Sequence, residues 1–154
     1  MKFSDLIIYT DVDGTAATHI NYQGMVSDAN LQAIEEFIKE GGMFGVASGR
    51  NHPSIDQIFQ NININLPYVE ANGASVWDKD KQDYLSIHYI NREFKKQIYQ
   101  YVKSNKELTL TAMRTESKKV IFQDERDELV IDYPRKMMSY EEFIETDLLK
   151  CAIL

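Results

Sequence analysis

The apolar run Leu6-Ile7-Ile8-Tyr9 passes through Thr10 and stops at Asp11-Val12-Asp13-Gly14-Thr15, two carboxylates one residue apart. A short continuous apolar run bounded by turn residues is the pattern of a strand buried on both faces of a parallel sheet. Open sheets of that kind bind ligands beyond the carboxyl ends of their strands, which is where Asp11 and Asp13 would sit. Gly14 lets the chain turn sharply after them. Asp and Gly are also ordinary turn formers, so the rest of the chain must decide between a site and a turn.

The residues beyond this loop predict an α/β sheet. Residues 18–24 are polar and read as a short exposed flap. Ser27 or Asp28 caps a helix whose apolar positions Leu31, Ile34, Phe37 and Ile38 share one face, and Gly41-Gly42 ends it. Residues 43–47 read as a second buried strand leading into Ser48-Gly49-Arg50, and Pro53 opens a helix to about Phe59. This β-α-β order implies a parallel pair with a right-handed crossover. Pro67 introduces a third strand, Tyr68-Val69-Glu70, and Asn72-Gly73 is a turn signal. Residues 75–77 and 84–87, around the polar stretch 78–83, predict a β-hairpin.

From Asn91 the texture changes. Phe94, Ile98, Tyr101 and Val102 mark one face of a helix ending near Asn105. Residues 108–113 and 119–122 predict strands of a second, antiparallel element. A charged stretch, 124–132, is closed by Tyr133-Pro134. Ser139 and Glu142 have capping-box spacing, and 148–154 is apolar and strand-like. The aromatics Tyr84, Tyr89, Phe94, Tyr99 and Tyr101 read as the core of this second part. Two domains are therefore expected, residues 1–87 and 88–154.

Bulk properties limit the function classes. A formal net charge of −7 over 154 residues argues against a nucleic-acid-binding surface. The single cysteine, Cys151, cannot form an intramolecular disulfide, which suits a reducing compartment. The apolar run near the amino terminus is too short for a signal peptide or membrane span. A soluble cytoplasmic protein is the expectation. His19, His52 and His88 share no metal-ligand spacing and read as surface or satisfied histidines.

Three segments in this order carry a family resemblance. Asp11-Val12-Asp13-Gly14-Thr15 after an apolar strand resembles the first motif of haloacid dehalogenase-superfamily phosphatases, and Val46-Ala47-Ser48-Gly49-Arg50 resembles their second. Pro67-Tyr68-Val69-Glu70-Ala71-Asn72-Gly73-Ala74 is similar to the Asn-Gly-Ala segment of the Cof-like branch, where a cap domain follows the third core strand. Ala16 and Ala17 stand where that family commonly has a bulky aliphatic residue. The family's later lysine and Gly-Asp-x-x-Asn-Asp segment have no counterpart here. Lys118 and Lys119 precede a strand expected to lie in the cap, so neither is carried over as the lysine. The resemblance implies a Rossmann-like core with a parallel sheet (residues 1–87) and an inserted α+β cap (88–154), both expected to be truncated.

By that resemblance, Asp11 is a nucleophile that forms an aspartyl-phosphate. Asp13 protonates the leaving oxygen and then activates water. Asp11 and the Asp13 backbone carbonyl bind Mg2+. Ser48 and Gly49, with Gly14, Thr15 and Arg50, hold the phosphate. Ser48 alone could equally satisfy a backbone N–H, and Arg50 could equally lie on a solvated loop. Asn72 and Gly73 line the site or merely make the turn. The implied substrate is a small phosphorylated metabolite such as a sugar phosphate. The alternatives are a catalytically incomplete remnant or one half of a split enzyme, with self-association or a complementing chain as the expected partner. An EF-hand counted from Asp11 would put Ala16 where glycine is needed and Tyr22 where glutamate is needed, so it fails. A phospho-acceptor receiver domain would need its acidic pair on the first strand and its acceptor on a later one; here the lone Asp-x-Asp is on the first.

Overall fold

A computed structural model describes residues 2–20, 23–115, 119–122 and 136–153. The chain divides into two units, Met1–Ile87 and His88–Leu154.

In chain order the first unit holds β1 (Ile7–Thr10), β2 (Ala17–Ile20), β3 (Gln23–Val26), α1 (Asp28–Lys39), β4 (Met43–Val46), α2 (His52–Ile58), β5 (Tyr68–Glu70), a 3-10 turn (Ala71–Gly73), β6 (Ser75–Asp78) and β7 (Asp83–Ile87). β1 and β4 pair in parallel, Ile7 opposite Met43 through Thr10 opposite Val46. Ala47 then bridges Val69 in parallel, and β5, β6 and β7 continue as an antiparallel meander. The β-α-β expectation is met, and the predicted hairpin at 75–87 is present. Ser27 caps α1, its Oγ accepting from the Asn30 N–H at 3.2 Å. Leu31, Ile34, Phe37 and Ile38 pack on a core built from Val12, Phe44, Val46, Ile55, Phe59 and Tyr68.

Two expectations are corrected here. Residues 18–24 are not a plain flap: β2 and β3 form an antiparallel hairpin. Its strand pattern is hidden because Ala17 and Val26, both buried, stand at opposite ends of the segment. β1 is not buried on both faces either. Ile7 is 60% and Ile8 43% exposed, while Val46 on the neighbouring β4 is fully covered. Among the described residues β1 pairs with β4 alone, at the sheet's edge, and Ile7 and Ile8 stay open.

The second unit comprises α3 (Arg92–Ser104), β8 (Leu110–Met113), β9 (Lys119–Phe122), β10 (Lys136–Met137), α4 (Tyr140–Glu145) and β11 (Lys150–Ile153). Its sheet order is β10-β9-β8-β11. β8 is antiparallel to both β9 and β11, whereas β10 runs parallel to β9, so the element is mixed rather than purely antiparallel. Asn91 and Ser139 cap α3 and α4. The buried face of α3 also differs from expectation. Phe94 and Tyr101 are half exposed, and Lys95, Ile98, Tyr99 and Val102 turn inward. The proposed aromatic cluster does not form one core: Tyr99 packs on Tyr140 and Phe143, Tyr84 packs on Trp77 in the first unit, and Tyr89 is exposed. Lys95 is buried because its Nζ donates to the carbonyls of Ile144 and Thr146 at the end of α4. The charged stretch 124–132, Tyr133-Pro134 and Lys118 lie outside the described residues.

Candidate active site

The two strands that pair in parallel deliver their following loops to the same end of the sheet. β1 runs into Asp11 and Asp13, and β4 runs into Ser48, Gly49 and Arg50. The first loop is closed by its own backbone. The Gly14 N–H donates to the Ala17 carbonyl at 2.9 Å, the Ala17 N–H to Val12 at 2.8 Å, and the Thr15 N–H to Val12 at 3.3 Å. Gly14 adopts φ +82°, the left-handed region that glycine enters without strain. Ala16 and Ala17 are buried beneath this loop, so small side chains fill the place where a larger one was expected.

Within the loop, the Thr15 hydroxyl donates to Asp11 Oδ2 at 3.2 Å and the Thr10 hydroxyl to the Asp11 carbonyl at 2.9 Å. The amides of Gly14 and Thr15 are therefore committed to the loop itself. The Thr15 hydroxyl is likewise committed, to an exposed Asp11 carboxylate.

Arg50 crosses from the second loop to the first. Its Nε donates to Asp13 Oδ2 at 2.8 Å and its Nη2 to Asp13 Oδ1 at 2.6 Å, the fork-to-fork geometry of a bidentate pair. Its Nη1 donates to Ser54 Oγ at 2.8 Å. Neither sequence alternative for Arg50 anticipated this pairing: the guanidinium lies against the carboxylate of the second aspartate. Ser48 is buried, and its Oγ accepts the Arg50 N–H at 3.3 Å. That bond uses an oxygen lone pair and not the hydroxyl proton, so the serine keeps a donor for a ligand.

The third segment backs this loop. The Asn72 N–H donates to the Ser48 carbonyl at 3.0 Å and the Ala71 N–H to the Arg50 carbonyl at 3.1 Å. Asn72 and Gly73 thus make the turn, and Asn72 also supports the loop through its backbone. Sequence reasoning missed Glu70 altogether. It is fully buried, touching His52 and Ser75. His52 is a satisfied histidine, stacked on Trp77 with ring centroids 3.9 Å apart.

Among the described residues, no three His, Cys, Asp or Glu side chains gather to hold a metal. The oxygen donors this end of the sheet provides are the Asp11 carboxylate and the Asp13 backbone carbonyl. In kind they suit magnesium, which takes one or two carboxylates and completes its shell with phosphate oxygens and water. A groove of about 450 Å³ lies elsewhere, lined by apolar residues including Phe3, Ile8, Ile34, Phe37 and Phe44. It contains none of the aspartates and so lacks the chemistry of the strand ends.

The family model for haloacid dehalogenase-like hydrolases matches residues 8–150. The chain belongs to that family. A phosphatase-named protein of Mycoplasma pneumoniae is 32% identical to this chain over 81 residues, covering 51% of the chain and 28% of that protein. The Bacillus subtilis protein named 5-amino-6-(5-phospho-D-ribitylamino)uracil phosphatase YcsE is 27% identical over 74 residues, 48% of the chain and 28% of that protein. Among solved structures, the subclass IIB sugar phosphatase BT4131 is similar with a TM-score of 0.75 at 16% identity, over 93% of the chain and 56% of BT4131. TM0651 from Thermotoga maritima matches with a TM-score of 0.66 at 20% identity, over 95% and 54%. These structures share the fold, an α/β Rossmann-like core. The chain spans under a third of the two curated relatives and little more than half of the two structures. Among its described residues, no helix is long and apolar enough to cross a membrane.

Proposed function

We propose that this chain carries the reacting carboxylates of a magnesium-dependent phosphohydrolase that cleaves a small phosphorylated metabolite, such as a sugar phosphate, through an aspartyl-phosphate. The observation that carries this reading is the junction of the two loops, Arg50 reaching from the end of β4 to both oxygens of Asp13 beyond the end of β1. The family match and the resemblance to BT4131, named as a sugar phosphatase, support a phosphate ester as substrate. Residues 1–87 serve as the core and residues 88–154 as a cap.

In this mechanism an Asp11 oxygen attacks phosphorus, the Asp11–phosphate bond forms and the ester oxygen departs. The Thr15 hydroxyl orients the attacking carboxylate. Asp13 gives a proton to the departing oxygen and then removes one from the water that hydrolyses the intermediate. In the resting arrangement Arg50 holds both Asp13 oxygens, so one of them must be released and protonated before Asp13 can deliver a proton. The Ser48 hydroxyl and the Gly49 amide donate to phosphoryl oxygens as their charge develops. Magnesium, when bound by Asp11 and the Asp13 carbonyl, supplies charge neutralisation at the phosphoryl group.

The test is turnover of an aryl phosphate by the purified chain with magnesium, beside Asp11→Asn. The reading requires magnesium-dependent release of phosphate that the variant abolishes; equal rates in both would refute it. The exposed apolar face of β1 favours a companion reading, in which a second copy or a complementing polypeptide covers that strand and completes the enzyme. Turnover that appears only on self-association or on adding a second polypeptide would favour it over an autonomous enzyme, and turnover proportional to chain concentration would refute it.

A further inference from the structure

Three consecutive residues from the end of β5 into the 3-10 turn hold three alternate residues between β4 and the start of α2. The Asn72 amide meets the Ser48 carbonyl and the Ala71 amide meets the Arg50 carbonyl. Glu70 then reaches His52, its Oε1 accepting the His52 N–H and lying 2.9 Å from His52 Nδ1. The first two contacts are backbone to backbone. At the third the backbone ladder has ended, and a buried carboxylate takes its place.

The carboxylate sits where it has most leverage. His52 is the first residue of α2, whose N-cap Asn51 makes no side-chain capping bond. The opening amides of a helix have no partners inside it and attract negative charge. Glu70, fully buried, is therefore a capping group supplied from a neighbouring strand. Its second oxygen is held by the Ser75 hydroxyl at 3.0 Å, and the His52 ring is pinned flat against Trp77, with an interplanar angle of 9°. Ala71 and Asn72 adopt φ +50° and +60°, conformations that cost L residues energy and persist where surrounding contacts enforce them.

From α2 the connection returns to the candidate site. Ser54, in the first turn of α2, accepts Arg50 Nη1 at 2.8 Å, and Arg50 grips Asp13. We infer that Glu70 is a positioning residue for the site: by fixing the first turn of α2 it fixes Ser54, and through Ser54 the orientation in which Arg50 holds Asp13. Glu70 touches none of the proposed reacting atoms. Its functional weight rests on the phosphohydrolase reading above, but the relay itself does not depend on turnover.

The test tracks the Arg50 Nε–H directly, by hydrogen exchange of its side-chain signal in 15N-labelled full-length chain, assigned through Arg50→Lys. Glu70→Gln keeps the volume and removes the charge that accepts from His52 and Ser75. It should speed Arg50 Nε–H exchange about tenfold, the effect of weakening one charge-assisted hydrogen bond, while the buried amides of β4 keep their protection. Ser54→Ala cuts the relay nearer Arg50, leaves the buried carboxylate intact and should produce the same selective change. Unchanged Arg50 exchange in either folded variant would overturn the relay. So would acceleration of Arg50 and the β4 amides by one common factor, which would make Glu70 a contributor to stability alone. If Glu70→Gln does not fold, Ser54→Ala decides by the same criteria. No turnover by the unsubstituted chain in the aryl phosphate assay, with Arg50 behaving as stated, would fault the enzymatic reading and leave the relay standing.

Discussion

Arg50 and Asp13, 37 positions apart in sequence, form a two-point ion pair, with Nε to Oδ2 at 2.8 Å and Nη2 to Oδ1 at 2.6 Å. The pair joins the loops that follow two parallel strands, and it places the second aspartate under the control of the second loop. Lysine cannot reproduce the planar fork. Arg50→Lys should therefore destabilise the first unit by about 1–2 kcal/mol, the range for hydrogen bonds to charged groups in a partly exposed pair. It should also slow hydrolysis of an alkyl phosphate more than that of a p-nitrophenyl ester, whose leaving group needs little protonation. Thermal melts and the ratio of the two kcat values check both parts.

Lys95 is a buried lysine whose Nζ serves the Ile144 and Thr146 carbonyls at the end of α4. Lys95→Met keeps the apolar stem and strands those carbonyls. The expected cost to the second unit is about 1–3 kcal/mol, the penalty for unsatisfied buried polar groups. Urea denaturation of the variant, followed by tyrosine fluorescence, measures it. A change under about 0.5 kcal/mol, the ordinary range for surface substitutions, would contradict this role for Lys95 at α4.

Much of this architecture is legible from residues alone, and the omissions have physical reasons. α1 could be read because Ser27, four apolar positions and Gly41 all specify the same helix. β4 could be read because its apolar run is bounded by glycines and a serine. The exposure of β1 could not be read: Leu6 to Tyr9 declare themselves apolar, but nothing in them states what covers them. On α3, Phe94 and Tyr101 fit a helical face as well as Ile98 and Val102 do. The true face was disguised because it includes Lys95, whose carbonyl partners lie 49 and 51 residues away. At the site, the Asp-x-Asp and Ser-Gly-Arg segments stand out, whereas the Arg50–Asp13 pairing and the burial of Glu70 are long-range facts with no local signature.

The edge strand β1 leaves Ile7 60% and Ile8 43% exposed, and Leu6 just before it 50%. Edges of this kind invite pairing with another chain unless charged. Ile7→Lys should lower the tendency to self-associate and leave the melting temperature within a few degrees, since the residue buries little. Sedimentation velocity over a concentration series checks this. Association unchanged by the substitution would exclude β1 as the contact.

Burial pushes the Cys151 thiol up to about 11, with Lys95 nearby acting in the opposite direction. A raised thiol pKa means that the folded state retains the proton where the unfolded chain gives it up. That contribution to stability is complete below the ordinary thiol range and is lost as pH rises from there toward 11. Cys151→Ser should flatten this part of the pH–stability curve. Alkylation by iodoacetamide at neutral pH should be slower in the folded chain than in urea, because the thiolate is the reacting species.

The central claim is that Asp11, and not Asp13, takes the phosphoryl group. Rapid quenching during turnover of an aryl phosphate with magnesium, followed by borohydride reduction, converts an aspartyl-phosphate to homoserine, which peptide mass spectrometry locates. Attack by Asp11 predicts homoserine at position 11 and none at position 13. Homoserine at position 13, or turnover with no modified aspartate at either position, would contradict it.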